Sequence, residues 1–592
     1  MQCSLENRIC ALNQISSRKL VDILDKIPGQ KDFIIDSNLI KPLEKFIGVS
    51  KLRSHGVDKI YKFDKPGIPI TSSQRVYMIR SDLITAKHVS DQINSELQQA
   101  PEKQTNNHII IVPRKLIAIM DLFEEEGVYG HIKTYQFQWA PLQLDTKLII
   151  DELPTIYRSL FLDGNNSLLP SVAKSIWTLI MLFGVPLVTV YHGKFSQQIE
   201  KIIGIYLEKL GKPHKIDSDI SCLYVVDRDV DYTSVLLTPG TYTCLLDQVC
   251  GFSCGVCNFT ITDKNTEQNY TLNLSDTDEI FVQVRNRYFS DVFPYLSSKA
   301  KVLRDSFAQS QTTIDKMQKF VSQELRNVTV MKKCLAGHIA ACEKIMGDMS
   351  DRFEDLQFNE QNMLVGRNRR ESLAFIEDCI AMDSGGYLNC LQLLSLLSIT
   401  SDGLTLDEIA AIKNQFLHAY GYQHLSSIHN LFTVGLLSEQ TSYLTSSAPA
   451  GKIANKVVQA VTLPTRRSSF NAQSQKLKLL PNMAENYDPK NPKDMSYIFS
   501  GAYIPLVCQI ISNLVRKEVA LEEIAKLLPN LLIKYSTDCK EIVRQTYLIY
   551  FVGGVSFAEL TAFQMLEKLT GCQIVVAGTS MVNGNTLIKS VL

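Results

Sequence analysis

The feature that most constrains this chain is an interruption. Short apolar strands alternate with helical patterns up to about residue 246, the pattern disappears, and it returns only near the C-terminus. There YLIYFV (Tyr547–Val552) reads as a strand, Ala558–Thr570 as a helix and QIVVA (Gln573–Ala577) as another strand. Ser556 and Glu559 have the spacing of a capping box, which marks the helix start. A lone β-α-β unit cannot bury both of its faces. The C-terminal unit is therefore expected to complete the sheet begun at 148–246, leaving 247–485 as a large insertion.

The early strands are KDFII (Lys31–Ile35), DKIYKF (Asp58–Phe63), VYMI (Val76–Ile79) and HIIIV (His108–Val112), separated by helical stretches such as Ile84–Leu97 and Lys115–Glu126. Nearly unbroken apolar strands between helices indicate a parallel sheet covered on both faces. The expected fold class is α/β plus α. It comprises a parallel-sheet domain at 1–135, a second and discontinuous one at 136–246 and 486–592, with CLYVV (Cys222–Val226) among its strands, and a mainly helical domain at 247–485.

Within the insertion, Ile314, Met317, Val321, Leu325, Val328, Met331, Leu335, Ile339, Cys342, Ile345 and Met349 follow one another at steps of three and four. That spacing is one helical stripe, and at 1.5 Å per residue it would span roughly 50 Å. A helix of that length is expected to project as one arm of a hairpin at about 285–365, paired with a helix near Pro294–Phe307; the alternative is a core helix that breaks midway. A compact helical unit follows at about 388–437, with a second capping box at Thr405 and Glu408. The polar stretches Glu439–Lys452 and Thr465–Gln475 read as linker or surface loop. No internal repeat is found.

Composition narrows the function classes. The 61 Lys plus Arg balance 61 Asp plus Glu, which argues against a protein that coats nucleic acid. The 14 cysteines lie scattered in a chain of 592 residues that does not need disulfide staples. Glu6 and Arg8 stand where the apolar stretch of a secretory leader would lie, so reduced thiols and a cytosolic setting are expected. The Asn-x-Ser/Thr matches at Asn258, Asn269 and Asn327 are then fortuitous. Ser175–Tyr191 is uncharged but broken by Gly184-Val185-Pro186, and reads as a buried helix followed by a buried strand.

Three constellations suggest chemistry. Cys250, Cys254 and Cys257 have the C-x3-C-x2-C spacing that holds an iron–sulfur cluster in radical enzymes, and Cys244 could complete a zinc set; three reduced loop thiols are the plainer reading. DRDVDYT (Asp227–Thr233) follows a buried strand, where an α/β active site is expected, and Asp229, Asp231 and Thr233 imitate the D-x-D-x-T motif of haloacid-dehalogenase phosphatases. Asp227 and Arg228 intrude where that motif needs apolar residues, and Arg228 pairing with the carboxylates on either side would lock the turn. Gly553-Gly554 before a helix could cradle phosphate, but without a P-loop or dinucleotide motif it reads as a tight strand-to-helix turn. His418, His424 and His429 lie among apolar helical positions, where core or partly buried roles are expected. No enzyme reading and no cofactor is favoured.

These segments together resemble the Sec-one/Munc-eighteen (SM) regulators of SNARE-mediated membrane fusion. Tyr224–Gln248, with its D-R-x-x-D at Asp227, Arg228 and Asp231, Ser500–Leu506 (SGAYIPL) and Tyr550–Phe563 with Gly553, Gly554, Ser556 and Glu559 carry the resemblance, together with Val575–Asn583. Ser556 stands in place of the family's Thr, and Val235-Leu236-Leu237 in place of its Pro-Leu. Lys19–Asp36, Leu122–Gly130, Phe320–Asn327, His338–Met346, Ser398–Leu404 and Tyr420–Leu431 are most similar to the family's vacuolar-sorting class thirty-three, B-type.

The resemblance implies a three-domain arch with a projecting helical hairpin and a non-enzymatic role as a scaffold for SNARE assembly. It implies SNARE helices of syntaxin type and a B-type sixteen-like sorting subunit as partners, with Rab GTPases reached through the complex. It also implies a cytoplasmic protein held peripherally on late endosomes, lysosomes and recycling or lysosome-related vesicles. The SNARE-contact candidates are Lys316, Lys319, Gln323 and Arg326, opposite the apolar stripe, for which a solvated face is the plain alternative. The sorting subunit is expected on the unit near Leu388–Leu437.

Overall fold

In a computed structural model, the described residues are 5–64, 67–99, 105–213, 218–263, 266–310, 325–349, 352–382, 386–440, 470–481, 488, 490–536 and 545–592. The first sheet is wholly parallel, built from β1 (Lys31–Ile35), β2 (Val57–Lys62), β3 (Gln74–Arg80), β4 (Asn106–Val112) and β5 (Ile132–Gln136) in the order β2-β1-β3-β4-β5. Its central strands β1, β3 and β4 are buried almost end to end, whereas the edge strand β2 is mostly exposed. Central strands covered on both faces by helices must be apolar throughout, which is why the sequence displays them so clearly.

The second sheet carries β6 (Leu142–Asp145), β7 (Leu148–Ile150), β8 (Val188–His192) and β9 (Cys222–Asp227). Between them, in the insertion, β10 (Val256–Asp263) and β11 (Thr266–Asn273) form a separate antiparallel ribbon. The second sheet then recruits β12 (Leu531–Tyr535), β13 (Thr546–Val552) and β14 (Gln573–Gly578), in the order β12-β8-β9-β13-β14-β7-β6. β13 lies at the centre, parallel to β9 on one side and to β14 on the other. The sheet begun before the insertion is thus completed by strands that follow it. The N-terminal helix Leu5–Leu24, the ribbon β10–β11 and strands β5 and β12 were not anticipated.

The stretch Asn166–Phe183 is long and apolar enough to cross a membrane. Its helix, Leu169–Phe183, instead packs Val172, Ile176, Leu179 and Phe183 into the core under the second sheet. The chain then turns at Gly184 into β8, as the break in the apolar run suggested.

The insertion is mainly helical. Phe289–Ser310 packs against Leu325–Met349. Along the latter, Leu335, Cys342 and Ile345 of the stripe are fully buried; the stripe's start, Ile314 to Val321, lies outside the described residues. The helices Gly386–Thr400, Leu406–Tyr420 and Leu425–Thr433 occupy the stretch expected as a compact unit, where the capping box at Thr405 and Glu408 is present; the first of them packs on Phe353–Val365, Arg369–Ala381 and the C-terminal helix Gly584–Val591. Two readings need correction. Residues 470–475, expected as loop, begin the helix Phe470–Leu477, because Phe470, Ser474 and Leu477 dock inward and Phe470 stacks on Tyr503. His418 and His429 are exposed; only His424 is partly buried, against Tyr387 and Phe416.

Candidate functional site

The residues that looked like misfit catalytic motifs meet at the carboxyl end of the second sheet, where they join distant segments. Asp227, at the end of β9, accepts from the backbone amides of Phe195 (2.6 Å) and Ser196 (2.8 Å) and from the Ser196 hydroxyl, capping the helix Lys194–Lys209. Burial and the neighbouring Asp229 carboxylate push its acid well above the ordinary range, against the pull of these donors. Gly193 is required beside it: its φ is +124°, and a Cβ there would collide with the Asp227 carboxylate.

Arg228 is fully buried and does not pair with its sequence neighbours. Its guanidinium forks onto Glu559, Nη1 to Oε2 at 2.8 Å and Nη2 to Oε1 at 2.9 Å, and also donates to the carbonyls of Gly554 (3.3 Å) and Asp231. The reading in which Arg228 pairs with the adjacent aspartates is therefore corrected: one rigid fork satisfies a carboxylate more fully than two single contacts would. Glu559 closes the capping box of the helix Phe557–Thr570 at the same time, accepting from the Ser556 amide at 2.9 Å.

Gly553 and Gly554 adopt φ of +99° and +113°. A Cβ on Gly553 would lie 2.9 Å from Arg228 Cβ and Phe161 Cε2, and one on Gly554 would lie 2.9 Å from Val582 Cβ. The pair is a tight turn packed over the buried arginine.

Asp231 accepts from the Ser234 amide (3.1 Å) and hydroxyl (2.5 Å), from the Tyr503 hydroxyl (3.3 Å) and from the Leu506 amide (3.0 Å). A buried carboxylate with four donors is a junction between helix starts, so Asp231 is committed to structure and is not free to serve as the second carboxylate of the dehalogenase-like reading. The SGAYIPL segment finds its place here, because Tyr503 and Leu506 supply two of those donors.

The three motif cysteines do not converge. Cys250 is half-buried at the end of the helix Tyr242–Cys250, and the influence of the Cys257 thiol draws its own below the ordinary range. Cys254 points elsewhere, bonded to Glu152. Among the described residues no group of three His, Cys, Asp or Glu side chains is set to hold a metal ion.

A cavity of about 430 Å³ opens where the carboxyl ends of the two sheets face each other. Arg80, Asp82 and Pro113 line it from the first sheet, Glu152, Leu153 and Met581 from the second, and Phe252, Leu274 and Phe281 from the root of the helical domain. Leu83, Ile84 and Ile117, at the starts of the helices after β3 and β4, are large, apolar and exposed at the same end of the first sheet. The root of the helix Leu325–Met349 is fixed by buried His338, which meets the Tyr242 hydroxyl through Nδ1 at 2.8 Å and Asp278 through Nε2 at 3.2 Å. Phe293, Val302, Val330 and Met346 leave exposed apolar surface on the two paired helices.

Of the SNARE-contact candidates, Lys316, Lys319 and Gln323 lie outside the described residues, as does the side chain of Arg326, whose backbone belongs to the helix Leu325–Met349. On the compact unit, Leu406, Tyr422 and Leu425 are exposed by 66%, 66% and 47%, enough apolar surface to stand out on so small a unit.

Sequence reasoning missed Glu360, a polar residue inside the helix Phe353–Val365 with no motif around it. It is buried and accepts from the Thr238 amide (2.9 Å) and hydroxyl (2.7 Å), tying the helical domain to the segment after Asp231. Burial pushes its carboxyl up to about 7 from an ordinary 4.5. The folded chain then holds a proton that the unfolded chain releases, so this contribution to stability is complete below about pH 4.5 and is lost as pH rises through 7. Glu360→Gln should remove that dependence: relative to the parent, its unfolding midpoint should improve between about pH 5 and pH 8, by an amount of order 1 kcal/mol. Parallel midpoints for the two proteins across this range would show that Glu360 is ionised throughout.

The chain matches the model of the Sec1 family over residues 31–590. It is 30% identical over 600 residues to vacuolar protein sorting-associated protein 33B of Danio rerio, covering 98% of this chain and 97% of that one. The corresponding Homo sapiens protein is 30% identical over 598 residues, at 98% and 96% coverage. Vacuolar protein-sorting-associated protein 33 homolog of Arabidopsis thaliana is 26% identical over 623 residues, at 99% and 98%. In fold, the chain is similar to the structure of the Unc18–syntaxin 1 complex from Monosiga brevicollis, with a TM-score of 0.62, 14% identity and 99% of both chains covered. It is also similar to SM protein Vps45 in complex with Qa SNARE Tlg2, with a TM-score of 0.61, 14% identity and coverage of 98% and 97%.

Proposed function

The chain belongs to the Sec1 family, and from that premise we propose that it is a non-enzymatic scaffold that holds SNARE helices for assembly during vesicle docking and fusion. The observation that carries this reading is the joint one: family membership over nearly the whole length, and large apolar side chains left exposed both on the first sheet's carboxyl edge and on the paired helices of the insertion. On the first sheet these are Leu83, Ile84 and Ile117; on the helix pair Phe289–Ser310 and Leu325–Met349 they are Phe293, Val302, Val330 and Met346. An amphipathic helix laid between them would bury its apolar stripe against both surfaces. Of the two structural neighbours, Unc18 is in complex with syntaxin 1 and the SM protein Vps45 with a Qa SNARE, which supports the class of ligand.

Similarity to the 33B relatives supports the finer reading. The chain would act in protein transport between endosomes, lysosomes and lysosome-related organelles, held peripherally through a B-type sixteen-like subunit docked on the helical unit, with Rab GTPases recruited through that complex. The SNARE contact is placed on Lys316, Lys319, Gln323 and Arg326. The test is retention of an endosomal Qa-SNARE cytoplasmic domain by the purified chain. Charge reversal at Lys316 and Lys319 should weaken retention about tenfold, the scale of about 1.4 kcal/mol, and lower its salt dependence. Unchanged retention would remove both residues from the contact.

A further inference from the structure

The cavity of about 430 Å³ between the two sheets has the size and the mainly apolar lining of a small-molecule site. Trp139, Phe252, Phe281 and Phe557 line it, the second and last meeting edge to face at 4.9 Å. The Trp139 indole N–H already donates to the Asp151 carbonyl at 2.8 Å and asks for no further partner. The lining also carries three carboxylates against one guanidinium. Arg80 meets Asp36 at 2.7 Å and Asp82 at 3.8 Å, and Asp145 meets Arg285 at 2.8 Å. Glu152 alone of the four has no cation within ion-pair distance among the described residues; Lys41 and Lys45 act on it from further off. Glu152 is half-buried and holds φ of +53°, a left-handed backbone that a β-carbon disfavours. Cys254, in the same lining, holds +51°. Such conformations persist where the surroundings impose them, and they gather at ligand sites. Burial pushes the Glu152 carboxyl above its ordinary range, so a cation placed against it would be favoured.

We propose that this cavity binds a small hydrophobic amine, with its apolar body among the aromatic side chains and its ammonium on the Glu152 carboxylate. The ammonium supplies the counter-charge that Glu152 lacks and donates charge-assisted hydrogen bonds to it. The ring faces nearby favour the same sign of charge. A neutral ligand of the same shape would leave the carboxylate unpaired, and an anion would meet the carboxylates of Asp82, Asp145 and Glu152. The walls come from the first sheet, the second sheet and the root of the helical insertion, so an occupant ties the three together and raises the unfolding midpoint.

Three probes of one shape, phenylbutylamine, phenylbutanol and phenylbutyrate, test this by calorimetry on the full-length chain. The amine should bind about tenfold more tightly than the alcohol, and the acid more weakly than either. Glu152→Gln should abolish the amine's advantage and leave the alcohol's affinity unchanged, which also reports that the cavity is intact. The chain has two tryptophans, and Trp177 does not line the cavity. In Trp177→Phe the emission of Trp139 should therefore shift as the amine binds. Amine and alcohol binding alike to the parent chain, an amine preference that survives in Glu152→Gln, or Trp139 emission that ignores the bound amine would each overturn the proposal. So would the absence of any amine binding.

Discussion

Arg228→Ala should destabilise the chain by about 3–5 kcal/mol, the range seen when one partner of a buried ion pair is removed. The guanidinium joins β9 to a helix that begins 329 residues later, at Phe557, and it lies 5.5 Å from the centre of the Phe551 ring on β13. Without it, Glu559 is left with a buried charge and no counter-ion. Domain stabilities are themselves only about 5–15 kcal/mol, so most of the protein should be lost to aggregation or unfold at a much lower temperature. Arg228→Met combined with Glu559→Gln should recover most of the loss, because the substitution removes the stranded charge and leaves the amide oxygen to cap the helix. Thermal unfolding of the single and double variants checks this. A single variant with the parent's midpoint would show that the pair contributes nothing net.

The second large effect is expected on the outer face of the compact helical unit. If the sixteen-like subunit docks there, Tyr422→Asp with Leu425→Asp places two charges in the middle of an apolar contact. Central aromatic and aliphatic anchors carry about 2 kcal/mol or more each, so the two together should lower affinity for the subunit by roughly several hundredfold, and co-purification should be lost. Both side chains are exposed, which leaves the fold and the unfolding midpoint of the isolated chain unchanged. An intact complex would move the docking site elsewhere, since the variant protein remains folded.

The parts of the fold that were legible in the sequence are those with a one-dimensional signature. Buried parallel strands such as β3, β4 and β13 are apolar at nearly every position, and the capping boxes at Ser556 and Thr405 fix their helix starts by a spacing of three. The edge strand β5 was not legible, because IKTYQ alternates weakly and borrows its partner from β4. The ribbon β10–β11 has its apolar face covered by the helices Tyr242–Cys250 and Leu325–Met349, contacts that no local pattern announces. At the candidate site, the D-R-x-x-D residues were recognisable, yet the partner of Arg228 was misjudged. Proximity along the chain favoured Asp227 and Asp229, while the fold places Glu559 at the fork. The same limit hid Glu360 and the cavity between the two sheets, whose lining residues come from both sides of the long helical segment, 38–281 and 553–590.

The central claim is that the chain grips a SNARE helix between the first sheet and the helical hairpin. Crosslinking and mass spectrometry of the protein taken from cell lysate tests this most directly. Crosslinks are expected from a syntaxin-type SNARE helix to both surfaces, near Ile84 or Ile117 on one side and within residues 289–349 on the other, in particles that also contain a sixteen-like sorting subunit. SNARE crosslinks confined to other surfaces, or a complex with no SNARE at all, would contradict it.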